Sequence, residues 1–400
     1  MRVVALAPAD GSTIDFITAC GWPLGASLAV TLAVCPVVRR VAIALELYDR
    51  PDGGLKPHQK PIPYLGGVAM YIGWVAALVT AYAKVPETRP LIPWIVGAGT
   101  VLMFTGLIDD IRHLPPKLRL MIQAAMAGLL VYGGIGRHVS RALLVPFQSI
   151  GLEWLLSDPV VTAVSVGVCI FALAGAMNAT NFIDGLDGLC GGIVAIAVIG
   201  LGLVSVVLVR FDPTHDPSAV VRFAICAGVL GACLGFLNYN FNPASIFMGD
   251  SGSLLLGFNV AVVLILLAEQ PHHAGYATWR WLDAGLIVFA FPVLDTAVAI
   301  TRRWLNRRPL FIGDRSHLYD QLRDRGLSVR RTVLTCYFIG AVFALLGPAI
   351  SRLPAILLFA VLIGIPSVAG IICRQFGLLR VDDTASRSMQ RPESSSPSGL

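Results

Sequence analysis

Apolar runs of near-membrane length recur from one end of this chain to the other, and nothing else in it constrains the fold as tightly. Eleven candidate spans can be marked: Ile17–Val38, Tyr64–Tyr82, Leu91–Ile108, Leu120–Ile135, Val160–Met177, Gly192–Val209, Phe223–Leu237, Ser253–Ala268, Ala284–Ile300, Val333–Ile350 and Leu353–Ile372. A helix crosses the hydrocarbon core in about 17–25 residues. Several of the runs sit at the lower edge of that range, so their helix ends are expected to extend into the loops. Only 14% of the residues are charged and 56% are hydrophobic, whereas soluble domains carry about 25% charged residues. A soluble core could not enclose this much apolar surface. In lipid, backbone polar groups must be satisfied within the segment, which favours helices. The expected fold is an all-α polytopic membrane protein with about eleven transmembrane helices. Residues 1–373 read as one integral-membrane domain. Residues 374–400, rich in Ser and Pro, read as a disordered cytoplasmic tail. No small-residue cleavage site follows the first apolar run, so that run is read as retained.

The charges suggest an orientation. The connections Arg39–Lys60, Arg112–Arg119 and Arg302–Arg331, together with the tail from Arg374, hold 21 of the 30 Lys and Arg residues. With alternating spans these segments share one face, and the positive-inside rule places that face in the cytoplasm. An odd number of spans then leaves the N-terminus outside and the C-terminus inside. The net charge of +6 is accounted for by this asymmetry, and nucleic acid is not an expected partner. None of the eight cysteines forms a CxxC pair and most lie in apolar runs. They read as small buried hydrophobes, neither disulfides nor zinc ligands.

Five polar segments fall on the cytoplasmic side: Lys56–Gly67, Asp109–Arg119, Asn178–Gly188, Asn240–Ser253 and Asp314–Leu322. A transporter of a lipid-linked or anionic solute, the main competing reading, would need polar groups at the midplane or on both faces. A non-catalytic scaffold has no reason to gather five such segments on one side. The adjacent Asp109 and Asp110 at a helix end are costly at a membrane boundary unless a cation or proton donor compensates them. Lys117 and Arg119 follow, suited to phosphate groups. Asn178, Asn181, Asp184 and Asp187 recur at intervals of three, which on a helix or tight turn aims them to one side. An all-oxygen donor set of this kind suits Mg²⁺, with Mn²⁺ an alternative. Asp250 lies in Gly249-Asp250-Ser251-Gly252-Ser253. A serine-protease reading of that string needs a histidine base and a buried carboxylate around Ser251. Only His58, His113 and His317 lie near cytoplasmic helix ends, so Asp250 fits a metal ligand better. His317 sits in the most basic loop, between Arg315 and Arg323, where an anionic partner is expected.

These segments, in this order and on this face, resemble the polyprenyl-phosphate N-acetylhexosamine-1-phosphate transferase superfamily, glycosyltransferase family 4, over roughly residues 17 to 372. The strings Asn178-Ala179-x-Asn181-x-x-Asp184-Gly185-Leu186-Asp187-Gly188 and Phe247-Met248-Gly249-Asp250-x-Gly252-Ser253 carry most of the resemblance. It implies an essential aspartate pair at Asp109 and Asp110, with Asp187 and His317 also catalytic. It implies Asp250 as the chief Mg²⁺ ligand and Asn181 as a second. Asp184 and Asp187 would line the nucleotide and metal pocket, and Asn240 and Phe247 would hold the uracil. Arg119 would face the diphosphate, and Lys56, His58, Lys117, Asn178 and Arg315 complete the implied substrate-binding set. Relatives often carry His-x-His-His where this chain has His317-Leu318-Tyr319-Asp320. This departure points toward a glycan-initiating branch of the family.

The implied reaction moves a sugar-1-phosphate, an N-acetylhexosamine-1-phosphate, from a UDP-sugar to undecaprenyl or another polyprenyl phosphate. It releases UMP and begins a cell-envelope polysaccharide at the inner or plasma membrane. A homodimer is compatible with this reading. A phosphate monoester has a second pKa near ~6, so the lipid acceptor is largely dianionic at neutral pH and needs little help from a base. Asp109 or Asp110 is a candidate to take its last proton, and a covalent aspartyl intermediate is the alternative.

Overall fold

The computed structural model describes residues 12–51, 60–211, 218–269, 276–307 and 317–354, with residues 357, 360, 361, 363–368 and 370 beyond them. The helices are α1 (Ser12–Ala44), α2 (Gly66–Lys84), α3 (Ile92–Arg112), α4 (Pro116–Tyr132), α5 (Arg141–Leu144), α6 (Asp158–Ile183), α7 (Leu189–Phe211), α8 (Ser218–Asn240), α9 (Gly249–Ala268), α10 (Tyr276–Val288), α11 (Ala290–Leu305), α12 (Leu318–Asp324) and α13 (Val329–Ile350). Two two-residue strands, β1 (Tyr48–Asp49) and β2 (Ile62–Pro63), pair antiparallel, with Tyr48 opposite Pro63. The chain is an all-α polytopic membrane protein.

Among the described residues, eight helices are long and apolar enough to cross a bilayer: α1, α2, α3, α6, α7, α8, α9 and α13. The expected spans up to Val333–Ile350 each fall on one helix, with ends shifted by a few residues, except for Ala284–Ile300. That run is broken. Arg280–Val288 and Ala290–Leu305 meet at 74°. Pro292 lies three residues past Phe289, where the break falls, and has no N–H to return to the carbonyl of Val288. An apolar window cannot register such a break, because it averages over both halves. Of the twenty residues of Leu353–Ile372, twelve are described and ten of those are helical. Six cysteines are described with their side chains, all buried and none in a disulfide.

The bundle is organised around α9. It is apolar on every side, and a helix of that kind must be enclosed. Every residue from Ser251 to Ala268 is buried, with α2, α3, α6, α7, α8 and α10 packed around it. Outside this ring α1 packs on α2 and α8, where Ser27 Oγ donates to the Gly228 carbonyl at 2.7 Å. The first turn of α9 therefore emerges from the centre of the bundle, and Asp250 is in that turn.

Candidate active site

The end of the bundle from which α9 starts holds a cavity of about 580 Å³, whose walls come from four of the five polar segments. The last turn of α3 brings Asp109 and Asp110. The chain leaves α3 through His113 in the left-handed region, φ 49°, which turns α4 back so that Arg119 meets the α3 carboxylates. Arg119 Nη1 donates to Asp109 Oδ2 and, at 3.2 Å, to Asp250 Oδ2. The other oxygen of Asp109 accepts the Leu114 N–H at 2.6 Å. From the end of α6, Asn181 Nδ2 donates to Asp250 Oδ1 at 2.7 Å and to Ser253 Oγ at 3.1 Å.

The turn between α6 and α7 carries Asp184 and Asp187. Asp187 Oδ2 accepts Asn242 Nδ2 at 2.8 Å and the Ala244 N–H at 2.9 Å. Asn240, at the end of α8, accepts the Gly188 N–H at 2.9 Å and donates to the Ile246 carbonyl at 2.9 Å. Its amide thus ties two loops together while lining the cavity. The chain entering α2 runs beside the chain entering α9. Phe247 N–H donates to Pro63 O at 2.9 Å, Gly66 N–H to Phe247 O at 2.8 Å and Gly67 N–H to Met248 O at 2.9 Å. This ladder sets Tyr64 and Phe247 in the cavity wall.

Six aspartates line the cavity, Asp49, Asp109, Asp110, Asp184, Asp187 and Asp250, with Arg119 the one arginine or lysine among the described lining residues. Asp184 shows the consequence. Burial, then the carboxylates of Asp250, Asp110 and Asp187, push it up to about 8. A site that holds protons on its carboxylates near neutral pH favours a cation that can replace them. Among the described residues no three His, Cys, Asp or Glu side chains form a ready-made cage.

Asp109, Asp110, Arg119, Asn181, Asp184, Asp187, Asn240, Phe247 and Asp250 share this one cavity. Asn178 does not join them. Its amide donates to Ala174 O of its own helix at 2.7 Å. Three residues along a helix of 3.6 residues per turn fall about 60° short of a full turn, so Asn178 is offset to one side of Asn181 within α6. Asn178 and Asn181 are helical, while Asp184 and Asp187 are on the following turn. Lys117 is exposed in the first turn of α4, away from the lining. His317 lies behind the wall. It is 5% exposed, its Nδ1 is 2.7 Å from Asp295 Oδ2, and its ring stacks on Tyr319 at 5.4 Å. Tyr319 OH donates to Phe182 O at 3.1 Å and packs on Gly185, so His317 reaches the cavity through Tyr319. Lys56, His58 and Arg315 lie outside the described residues.

Four residues escaped the sequence reading of the site. Tyr64 and Asp49 arrive through backbone pairing, which leaves no side-chain pattern. Tyr319 was visible only as a departure from the family string. Asp295 had a signal, being the one charged residue within Ala284–Ile300. It also accepts the Leu318 N–H at 2.8 Å.

Fold and site together define a polytopic membrane protein with an acidic, oxygen-lined cavity at one end of its bundle. The sequence model described as glycosyl transferase family 4 matches residues 92–268, from the first residue of α3 to the last of α9. The chain is 34% identical over 321 residues to the probable undecaprenyl-phosphate N-acetylglucosaminyl 1-phosphate transferase of Bacillus subtilis, covering 80% of this chain and 81% of the relative. It is 35% identical over 294 residues to the decaprenyl-phosphate N-acetylglucosaminephosphotransferase of Mycobacterium tuberculosis, 70% of each chain. It is 28% identical over 325 residues to the undecaprenyl-phosphate alpha-N-acetylglucosaminyl 1-phosphate transferase of Yersinia pestis, 81% of this chain and 82% of that one. The chain belongs to glycosyl transferase family 4.

Proposed function

We propose that this protein transfers N-acetylglucosamine-1-phosphate, or a related N-acetylhexosamine-1-phosphate, from a UDP-sugar to undecaprenyl or another polyprenyl phosphate, beginning a cell-envelope polysaccharide. The observation that carries this reading is the acidic cavity at the mouth of α9 in a membrane bundle. The names of the relatives support the sugar and the lipid. An oxygen of the lipid phosphate attacks the sugar-bearing phosphorus of the donor. The bond from that phosphorus to the bridging oxygen breaks, and UMP leaves with the electron pair. Such a transfer depends on positioning and on neutralised charge more than on covalent help.

Asp250 and Asn181, with Asp184 beside them, would hold a Mg²⁺ ion, which when bound offsets diphosphate charge and stabilises departing UMP. Arg119 stands between Asp109 and Asp250, where its guanidinium can meet a phosphate oxygen. Asp187 and Asn240 hold the loops that shape the nucleotide end of the cavity. The excess of Lys and Arg on the same side supports a cytoplasmic cavity at the inner or plasma membrane. The transporter reading fares worse. Beyond its first turn, buried α9 bears one polar side chain apart from Ser253, that of Asn259, so the bundle centre below the cavity is apolar.

The test is direct. Radiolabelled UDP-N-acetylglucosamine incubated with the purified protein, undecaprenyl phosphate and Mg²⁺ should deliver label into the organic phase with stoichiometric UMP. Excess EDTA should abolish transfer. If neither this donor nor UDP-N-acetylgalactosamine labels the lipid, the function is wrong. Full transfer in EDTA would remove the metal from it.

Asp184 gives a pH dependence. Its pKa in the fold, about 8, is above its ordinary value, so ionising it costs more in the folded than in the unfolded chain. The folded state is therefore favoured below the ordinary carboxylate range, loses that advantage as pH rises to about 8, and levels off above. Metal binding displaces the proton and removes the penalty. We expect the metal-free melting temperature to fall between pH 5 and 8, and Mg²⁺ to flatten the profile. A metal-free profile flat across this range would contradict it.

A further inference from the structure

Asp110 differs from the other cavity carboxylates in what it touches. Its Oδ1 accepts the backbone N–H of Asp250 at 2.8 Å, and its Oδ2 that of Ser251 at 3.3 Å. These N–H groups belong to the first turn of α9, where a helix has no internal acceptors and where its dipole favours a negative charge. The residue at the local cap position, Met248, supplies no side-chain hydrogen bond. The cap comes instead from the last turn of α3. By contrast, Asp109 is held by Arg119 and the Leu114 N–H, and Asp187 by Asn242 and Ala244.

The backbone is cleared to allow this contact. Gly249 has φ 68°, and a Cβ on it would stand 2.5 Å from Asp110 Oδ2. One turn before Asp110, a Cβ on Gly106 would stand 2.5 Å from both Asp250 O and Ser251 N. Helices α3 and α9 therefore meet backbone to backbone, with the Asp110 carboxylate bridging them.

We infer that Asp110 is a positioning residue. It supplies from α3 the cap that α9 lacks, and so fixes where Asp250 stands relative to Asn181 and Arg119. This inference rests on the proposed role of Asp250 as the metal-holding carboxylate. A proton acceptor would need an oxygen directed at the substrate, whereas both oxygens of Asp110 face the α9 backbone.

Two variants separate these roles. Asp110→Asn keeps one carbonyl acceptor for the α9 amides, and Asp110→Ala keeps none. The readouts are the Mg²⁺ concentration that half-saturates thermal stabilisation without substrate, and turnover against pH at saturating Mg²⁺. Positioning predicts a midpoint raised about tenfold in Asp110→Asn and nearer a hundredfold in Asp110→Ala, the usual range when a ligand's support is removed. The residual turnover of Asp110→Asn should keep the parent's pH profile. Parent-like midpoints in Asp110→Ala, or a turnover loss in Asp110→Asn that recovers as pH rises, would overturn the inference. If the parent itself is not stabilised by Mg²⁺, the metal reading fails, and the pH profile alone then decides the role of Asp110.

Discussion

Asp250→Asn is expected to lower turnover about a thousandfold, roughly 4 kcal/mol in the barrier, without loss of fold. Asp250 is where the contacts of the cavity converge: Arg119 on one oxygen, Asn181 on the other, and Asp110 on its backbone. Asparagine keeps the shape and one acceptor but removes the charge. It also removes the neighbouring carboxylate that weighs most on Asp184. The metal-free protein should therefore melt no lower than the parent, while its stabilisation by Mg²⁺ shrinks. Turnover and the two melting curves are the measurements. Parent-like turnover would show that Asp250 is not at the reaction. A collapse of the metal-free fold would make its role structural.

Gly67→Ala is expected to reduce turnover about a hundredfold by a purely steric route. A Cβ at Gly67 would stand 2.2 Å from the backbone nitrogen of Gly252 and 2.7 Å from its Cα. Neither atom can yield without moving α2 or α9. Overpacking of this kind costs about 1–3 kcal/mol, and a displacement of about 1 Å can lower a rate ~10²-fold. The melting temperature should drop as well. Gly97→Ala in α3 is the control, since nothing lies within 4 Å of its added methyl, and it should match the parent or melt slightly higher. If Gly67→Ala keeps both turnover and melting temperature, the α2–α9 contact is looser than described.

The cavity residues were legible because the chain is otherwise so apolar. In a sequence with 14% charged residues, Asp109-Asp110, the Asn181–Asp187 turn and Asp250 have few harmless explanations. What they do within the cavity was less legible. Nothing local shows that Asp110 faces the backbone of a helix that begins 139 residues later, because a cap borrowed from another helix leaves no spacing in the sequence. Asn178 shares the three-residue spacing, but three residues fall about 60° short of a helical turn, and within α6 it is offset from Asn181. His317 lies in a basic stretch of the sequence, and its burial against Asp295 depends on how α11 turns after the break at Phe289. The span pattern carries the fold class, since hydrocarbon demands helices. It does not carry bends, which depend on single residues such as Pro292.

The enclosure of α9 has a consequence for motion. Amide hydrogens of a helix packed on all sides exchange with solvent only through the largest opening of the structure. The candidate metal-holding carboxylate is thus mounted on the element that opens least, with its geometry set before donor or lipid arrives. Any rearrangement that admits the two substrates must then come from the cavity's rim. Thermal inactivation and global unfolding become the same event, with no earlier stage at which the bundle persists and Asp250 has drifted.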